Sequence, residues 1–363
     1  MEAKYFFKDP INVLVYSICR EGVRHSNNVQ IKKLILEDTW TDIIIFGRSP
    51  DRINPFRLWS KLRRRYNIKR VFVGDVGSEH MRAALANHVQ ESYLLDDGVG
   101  TLDAQDWFLR RGSARVSFHD TPYDYATWRG RNLKAPSWKI CLKKQFQNIL
   151  MPVNRYSHTI HLFTVFDLEP VGEQKIIKNR YESLKLKKIK KIIDPSIVWF
   201  FGHGPSEDGG LKLAEEVNIL KQICDYYSAR AIKVHYMPHR NESVQRLHVY
   251  KEYLGMVIET PEWPAEIETV LRKRIPAHIG AFSSTALFTL PLLQDFATVT
   301  SFRLAPKKSV YSEALDNYLS ARIVVVDLNV EGSTSSACTT PDSTKGERAA
   351  NAAKRNLGAI ASN

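Results

Sequence analysis

Cysteine is scarce and scattered in this chain. The four in 363 residues are Cys19, Cys141, Cys224 and Cys338, without the close pairs that zinc sites and small disulfide scaffolds use. That spacing fits a reducing compartment. No apolar stretch approaches the roughly 20 residues that span a bilayer. The N-terminus Met1-Glu2-Ala3-Lys4 has no basic region followed by an apolar run, so no secretory signal is visible. The expected location is cytoplasmic, with basic faces that a membrane surface would attract. Acidic residues are in deficit, 39 against 52 Lys and Arg, for a formal charge of +13. A polyanionic partner follows, whether nucleic acid, anionic lipid or acidic polysaccharide, and charge alone does not choose among them. Two nucleotide fingerprints are missing as well. Gly202-His203-Gly204 is followed by Glu207 where a dinucleotide loop needs its third glycine, and no Gly-Lys-Ser/Thr follows, which excludes a P-loop.

What is present is an alternation of apolar runs and amphipathic stretches, in a chain long enough for two domains. Tyr5-Phe6-Phe7 reads as a first strand, and Asp9-Pro10 as the N-cap and first position of a helix over 10–20. Ile43-Ile44-Ile45-Phe46-Gly47 and Val71-Phe72-Val73 read as strands, with helices over 55–66 and 80–88. Tyr93-Leu94-Leu95 leads into Asp96-Asp97-Gly98. From 103 to 191 the rhythm weakens and aromatic and basic residues gather, among them Trp128, Arg129, Lys134, Trp138 and Lys139. His161 to Phe166 is a strand, and Lys185 to Lys191 a lysine-dense connector whose plain reading is a solvated face.

The alternation resumes with the apolar run Ile197-Val198-Trp199-Phe200-Phe201-Gly202, a helix over 211–227, and a strand through Tyr236 that ends at Pro238-His239. Helices over 266–274 and from Ser284 to Leu290 come next, then a helix over 312–319 and a strand at Ile323 to Val326. The fold class is therefore α/β, two similar Rossmann-like halves facing across a cleft. The boundaries fall at 1–194 and 195–305, with a helix and strand in 306–330 and a Ser, Thr, Ala and Gly-rich tail over 331–363 expected to be disordered.

Three stretches carry the chemistry. Asp96-Asp97-Gly98 sits at the carboxyl end of a parallel strand, where open α/β sheets place their ligands, so one carboxylate can take a proton while the other orients the loop. An ordinary Asp-Gly turn is the alternative. His239 follows a strand and a proline that aims the imidazole past the sheet edge. His235 and His239 have the helical spacing of metal ligands, but a strand followed by proline does not put them on one helix face, and a zinc site is discounted. Ser283-Ser284-Thr285 precedes an apolar helix, where free N–H groups attract anions; simple capping would need one hydroxyl, not three.

Together these stretches resemble the bacterial sialyltransferases of GT-B architecture, in particular the alpha-2,8-polysialyltransferase family, from about residue 5 to 302. The resemblance implies Asp97 as general base with Asp96 as the fallback, and His239 with Ser283 and Ser284 on the leaving phosphate of a CMP donor. Arg240 stands where the family has proline, and would either change the shape of the loop or add a phosphate contact. Pro264-Ala265-Glu266 resembles the segment whose glutamate holds the ribose hydroxyls, here Glu266, and Gly202 and Gly204 resemble the glycine turn beside it. The implied donor is CMP-sialic acid or a related CMP-nonulosonate, and the acceptor an anionic surface glycan such as capsule or lipooligosaccharide held by residues 128–144. No metal, no other cofactor and no nucleic acid are implied, and 1–194 becomes the acceptor-side domain. A hydrolase using Asp96 and Asp97 with water, and a non-catalytic polyanion-binding protein, are the other classes the residues admit.

Overall fold

The computed structural model describes residues 2–18, 25–47, 55–76, 78–85, 89–96, 99–116, 158–202, 211–239, 242–282, 284–305 and 323–329. All belong to one compact unit, Met1–Val330. Asp97, Gly98, Gly204, Arg240, Ser283, the segment 128–144, the expected helix at 312–319 and the tail from Glu331 lie outside the described residues.

The first aromatic run is a helix rather than a strand. Helix α1 (Glu2–Phe7) turns Phe7 onto Tyr93 and Phe72, with ring centroids 4.9 and 5.2 Å away, so tertiary packing overrides the β preference of Tyr-Phe-Phe. The helix expected over 10–20 is also corrected. Asp9 does not cap a helix but pairs with the Arg70 guanidinium at 2.8 Å, and strand β1 (Val13–Ile18) follows, as its β-branched residues prefer. β1 pairs in parallel with β2 (Asp42–Gly47) after helix α2 (His25–Leu36). Helix α3 (Pro55–Arg65), strand β3 (Arg70–Val73), helix α4 (Glu79–Leu85), strand β4 (Glu91–Leu95) and helix α5 (Val99–Arg111) then alternate. Strands β5 (Arg115–Val116), β6 (His158–Thr164) and β7 (Ile176–Lys178) complete a sheet in the order β3-β4-β6-β5. There β7 runs parallel beside the far end of β6, and only β5 is antiparallel. Val71, Val73, Leu94, Phe108, Ile160 and Leu162 form its core.

After the one-turn helix α6 (Glu182–Lys185), strand β8 (Ile192–Phe201) opens the second half. The expected boundary at Asp194-Pro195 falls inside this strand. Helix α7 (Leu213–Ser228) starts where Glu215 reaches back to the Lys212 amide at 2.7 Å. It is followed by β9 (Lys233–Met237), helix α8 (Val244–Leu254), closed by Gly255 in the left-handed region at φ 64°, and β10 (Val257–Ile258). Helix α9 (Ala265–Leu271), β11 (Arg274–Ala281), the short helix α10 (Ala286–Thr289) with a 3-10 turn (Leu290–Leu292), β12 (Thr298–Ala305) and β13 (Val324–Asn329) end the described chain. All six strands are parallel, in the order β10-β9-β8-β11-β12-β13. Counted from β8, that is 3-2-1-4-5-6, the order of a doubly wound sheet, whose winding reverses between β8 and β11.

Strand β8 shows why both faces are covered. Val198 and Phe200 join Leu220, Ile223 and Tyr227 of α7 on one face, while Trp199 and Phe201 join Ile279, Leu287 and Leu290 on the other. The period-2 alternation sends four consecutive apolar side chains into two cores. The second core is not made by this half alone. Leu102 of α5 and Val165 and Phe166, just after β6, are part of it, so the two halves share one core. The protein is thus mixed α/β with several parallel sheets. Among the described residues no helix is long and apolar enough to cross a membrane.

Candidate functional site

The point where the winding reverses is where open parallel sheets hold ligands, outside the carboxyl ends of the strands. At that point β8 ends on Phe201-Gly202, β11 on Ala281-Phe282, and the neighbouring β9 on Met237-Pro238-His239. Phe201, Met237 and Ala286 are buried in the shared core with Val165 and Phe166. Gly202, His239 and Ser284 lie within two residues of these anchors, so the core brings their loops together.

Gly202 is a glycine because of what lies on its backbone. A Cβ there would collide with the Tyr236 hydroxyl and come within 2.7 Å of both Tyr236 Cζ and Glu242 Oε2. Its amide donates to the Met237 carbonyl at 2.9 Å, which continues the β8–β9 pairing into the loop. The close approach at this glycine is made by the Tyr236–Glu242 pair.

Glu242 shapes the histidine loop. Its Oε1 accepts from the Tyr236 hydroxyl at 2.5 Å and its Oε2 from the His239 amide at 2.8 Å, while its own amide donates to the His239 carbonyl at 2.9 Å. The turn is therefore closed from both sides by one residue. Burial, and then the Glu242 charge, push the Tyr236 phenol well above its usual range, so it stays a donor to that carboxylate. No role is assigned to Glu242 by motif alone; its spacing three residues after His239 is the signal that places it. His235 faces away from this work. Its Nδ1 lies 2.8 Å from Glu259 Oε1, and Glu259 also accepts from Arg272 at 3.0 Å.

Ser284 Oγ accepts from the Ala286 amide at 3.2 Å, a local turn into α10. That helix is only four residues long before Pro291 enters the 3-10 turn, so its dipole adds little and any anion would be met by side chains and individual amides. Glu266, in the first turn of α9, accepts from the buried Thr289 hydroxyl at 2.7 Å through Oε1.

From the first half comes Asp96, directly after β4. The Val165 amide donates to its Oδ2 at 2.8 Å, while Oδ1 is sealed from solvent with no hydrogen-bond partner among the described residues. Burial pushes this carboxyl up to about 6, against the pull of the Thr164 hydroxyl, the Val165 amide and the Lys178 ammonium, and the Glu266 charge adds to the rise. Asp96 of one half and Glu266 of the other are thus near enough to repel each other. Tyr181 is half-buried and packs against the shared core; desolvation, then the charges of Glu266, Asp96 and Glu2, hold its phenol protonated far above the usual range. Tyr181 also has φ 53°, a left-handed conformation uncommon for an aromatic residue. Neither its packing nor its backbone is legible in the surrounding Asn-Arg-Tyr-Glu.

A buried carboxyl with a shifted pKa and an unpaired oxygen, beside the carboxyl ends of a doubly wound sheet, is equipped for proton transfer near neutral pH. Compared with protein-family models and with curated proteins, the chain matches none.

Proposed function

We propose that this chain is an inverting glycosyltransferase whose α/β halves act as the two lobes of a GT-B enzyme, moving sialic acid or a related nonulosonic acid from a CMP donor to an anionic surface glycan. The observation that carries this reading is the shared core, which packs Val165, the partner of Asp96, against Phe201, Met237 and Ala286, the anchors of the Gly202, His239 and Ser284 loops. A carboxyl from one half and an imidazole loop from the other grow from one base.

In a CMP-activated nonulosonic acid the CMP departs from a fully substituted anomeric carbon through an oxocarbenium-like state, so the main task is to neutralise one leaving phosphate. His239 and Ser284 are suited to it. The Ser284 hydroxyl already accepts the Ala286 amide and keeps its own hydrogen to donate to a phosphate oxygen. Ser283 and Arg240 would add to the same anion, and the remaining oxygen of Glu266 would take the ribose hydroxyls. The acceptor oxygen attacks the opposite face of the anomeric carbon as the bond to the phosphate breaks, and its proton passes to Asp97. Asp96 braces that loop through Val165 and is the second choice of base. In this scheme the donor is the only small molecule required, and the CMP leaves as the free nucleotide.

The test is incubation with candidate CMP-nonulosonates and defined glycan acceptors, read by mass spectrometry, with melting followed in CMP. Asp97→Asn is expected to lose transfer by about a hundredfold to ten-thousandfold while CMP still raises the melting temperature. His239→Ala should lose both. Free sugar without a glycan product would mean hydrolysis, and a protein that neither transfers nor responds to CMP would sink the proposal.

A further inference from the structure

The connector between the halves is more than a solvated basic run. Residues 185–191 hold five lysines in seven positions, and the structure shows what lies between them. Leu184 is buried in a small core with Val270 and Leu293, while leucines one or two positions away in sequence, Leu186, Leu271 and Leu292, are exposed. Leu186 is 75% exposed and Ile192 53%, values that solvated connectors have no reason to give to aliphatic side chains. Ile189 and Ile193 are exposed beside them. Strand pairing sets Ile192 opposite Arg274, and the Ile192 amide donates to the Lys273 carbonyl at 2.8 Å. Lys185 and Lys188 share an open cleft with Pro291, Leu292, Gln294 and Asp295. Aliphatic and cationic side chains thus interleave over one surface, at the amino-terminal end of β8 and β11 and away from Gly202.

Lys191 is the exception that fixes the surface. Its ammonium donates inward to the Val270 and Arg272 carbonyls, and burial lowers it to about 8. Lys187 lies 3.9 Å from Glu37, while Lys185, Lys188 and Lys190 form no ion pair among the described residues.

From this we infer that the surface around Lys185, Leu186, Lys188, Ile189, Lys190 and Ile192 docks on an anionic lipid bilayer. Lysines supply attraction to lipid phosphates, and aliphatic side chains of this kind enter the boundary between headgroups and acyl chains. An acidic glycan or a nucleic acid offers the same charge but is gripped by aromatic faces, and the exposed apolar residues of the segment 184–193 are all aliphatic. The inference stands apart from glycosyl transfer, and neither needs the other.

Flotation of the full chain with phosphatidylcholine vesicles, with and without a quarter of phosphatidylglycerol, tests it. The chain is expected to float only with the anionic vesicles and to be released by salt. Lys185→Gln/Lys188→Gln/Lys190→Gln should weaken partitioning on the order of a hundredfold, at about fivefold for each basic side chain near an anionic surface. Leu186→Ser/Ile189→Ser keeps the charge, and should be released at a salt concentration that the unaltered chain withstands. All five side chains are exposed, so both variants should melt as the unaltered chain does, and each tests the surface if the other fails to fold. Equal flotation with neutral vesicles, or of the triple lysine variant, overturns the inference. So does a Leu186→Ser/Ile189→Ser variant that floats unchanged while heparin strips the chain from vesicles, which would assign the surface to soluble acidic polymers.

Discussion

The Val165 amide donates to Asp96 Oδ2 at 2.8 Å and so ties the end of β4 to the end of β6, yet the other oxygen of the same carboxylate is buried without a partner among the described residues. The raised carboxyl has a sign that can be checked. A folded-state pKa of about 6 against an ordinary 3.8 means the native chain holds this proton more tightly, so the contribution of Asp96 to stability is greatest at low pH and falls as pH rises from about 4 through 6. The full difference is about 3 kcal/mol, at about 1.4 kcal/mol for each pH unit. Asp96→Asn keeps an oxygen for Val165 and places a neutral amide where a charge had been. Melting curves should show the variant gaining on the unaltered protein by up to that amount between pH 4 and pH 7, and a constant difference over that range would refute the buried-charge account.

Gly202→Ala is predicted to destabilise the fold by about 1–3 kcal/mol, the usual cost of overpacking. The added methyl meets the Tyr236 hydroxyl, but also Tyr236 Cζ at 2.7 Å. Pairing it with Tyr236→Phe should therefore give little relief, because the ring carbon remains and Glu242 loses a donor. Urea unfolding of the two single variants and the double variant decides the matter; full rescue would mean that the hydroxyl alone fills the space.

Strand β8 of the second half is legible because it is a short apolar run that needs burial on two sides, whereas its neighbour β11 and the strand β12 beyond it are not among the expected strands. Val198-Trp199-Phe200-Phe201 has no polar face to present, and only a strand between two layers accommodates it. The first twenty residues misled for equally physical reasons. Asp9-Pro10 has the form of a helix start, but the Asp9 carboxylate is held by Arg70, sixty-one residues away. The Tyr5-Phe6-Phe7 run has the composition of a strand, but its place against Tyr93 and Phe72 is set by a contact that no local window contains. The site divides in the same way. His239 and Asp96 stand out from their positions after apolar runs, Ser284 from its place before an apolar helix and Glu266 from the Pro264-Ala265-Glu266 resemblance alone, whereas Glu242, Val165 and Tyr181 are singled out by hydrogen bonds and packing across the chain.

Glu259 offers a stability test free of the proposed chemistry. It is desolvated, but the His235 ring and the Arg272 guanidinium outweigh that and hold its carboxyl below the usual range. Such a group stabilises the fold at neutral pH and loses that contribution as pH falls through its depressed pKa. Glu259→Gln is expected to cost about 1–2 kcal/mol at pH 7, given partial exposure of the pair, and the difference should shrink in acid. A gap between the two melting temperatures that widens below pH 4 would contradict the pairing.

In the proposed reaction Glu266 would connect donor binding to the proton chemistry, because its charge bears on Asp96 from the opposite half. Removing that charge by Glu266→Gln makes Asp96 easier to ionise, so the Asp96 carboxyl should titrate at lower pH, by a fraction of a unit, since Glu266 is the weakest of the causes acting on it. The amide can still accept from Thr289, which preserves the 2.7 Å contact between α9 and α10. If Glu266 also holds the ribose, KM for the CMP donor should rise about tenfold, the effect of losing roughly 1.4 kcal/mol from a charge-assisted hydrogen bond. Carboxyl titration by NMR reads the first effect without any substrate, and donor kinetics read the second. An Asp96 titration that stays in place would show that the two carboxylates are too far apart to sense each other, and the shared base for the two halves would then lose its electrostatic consequence.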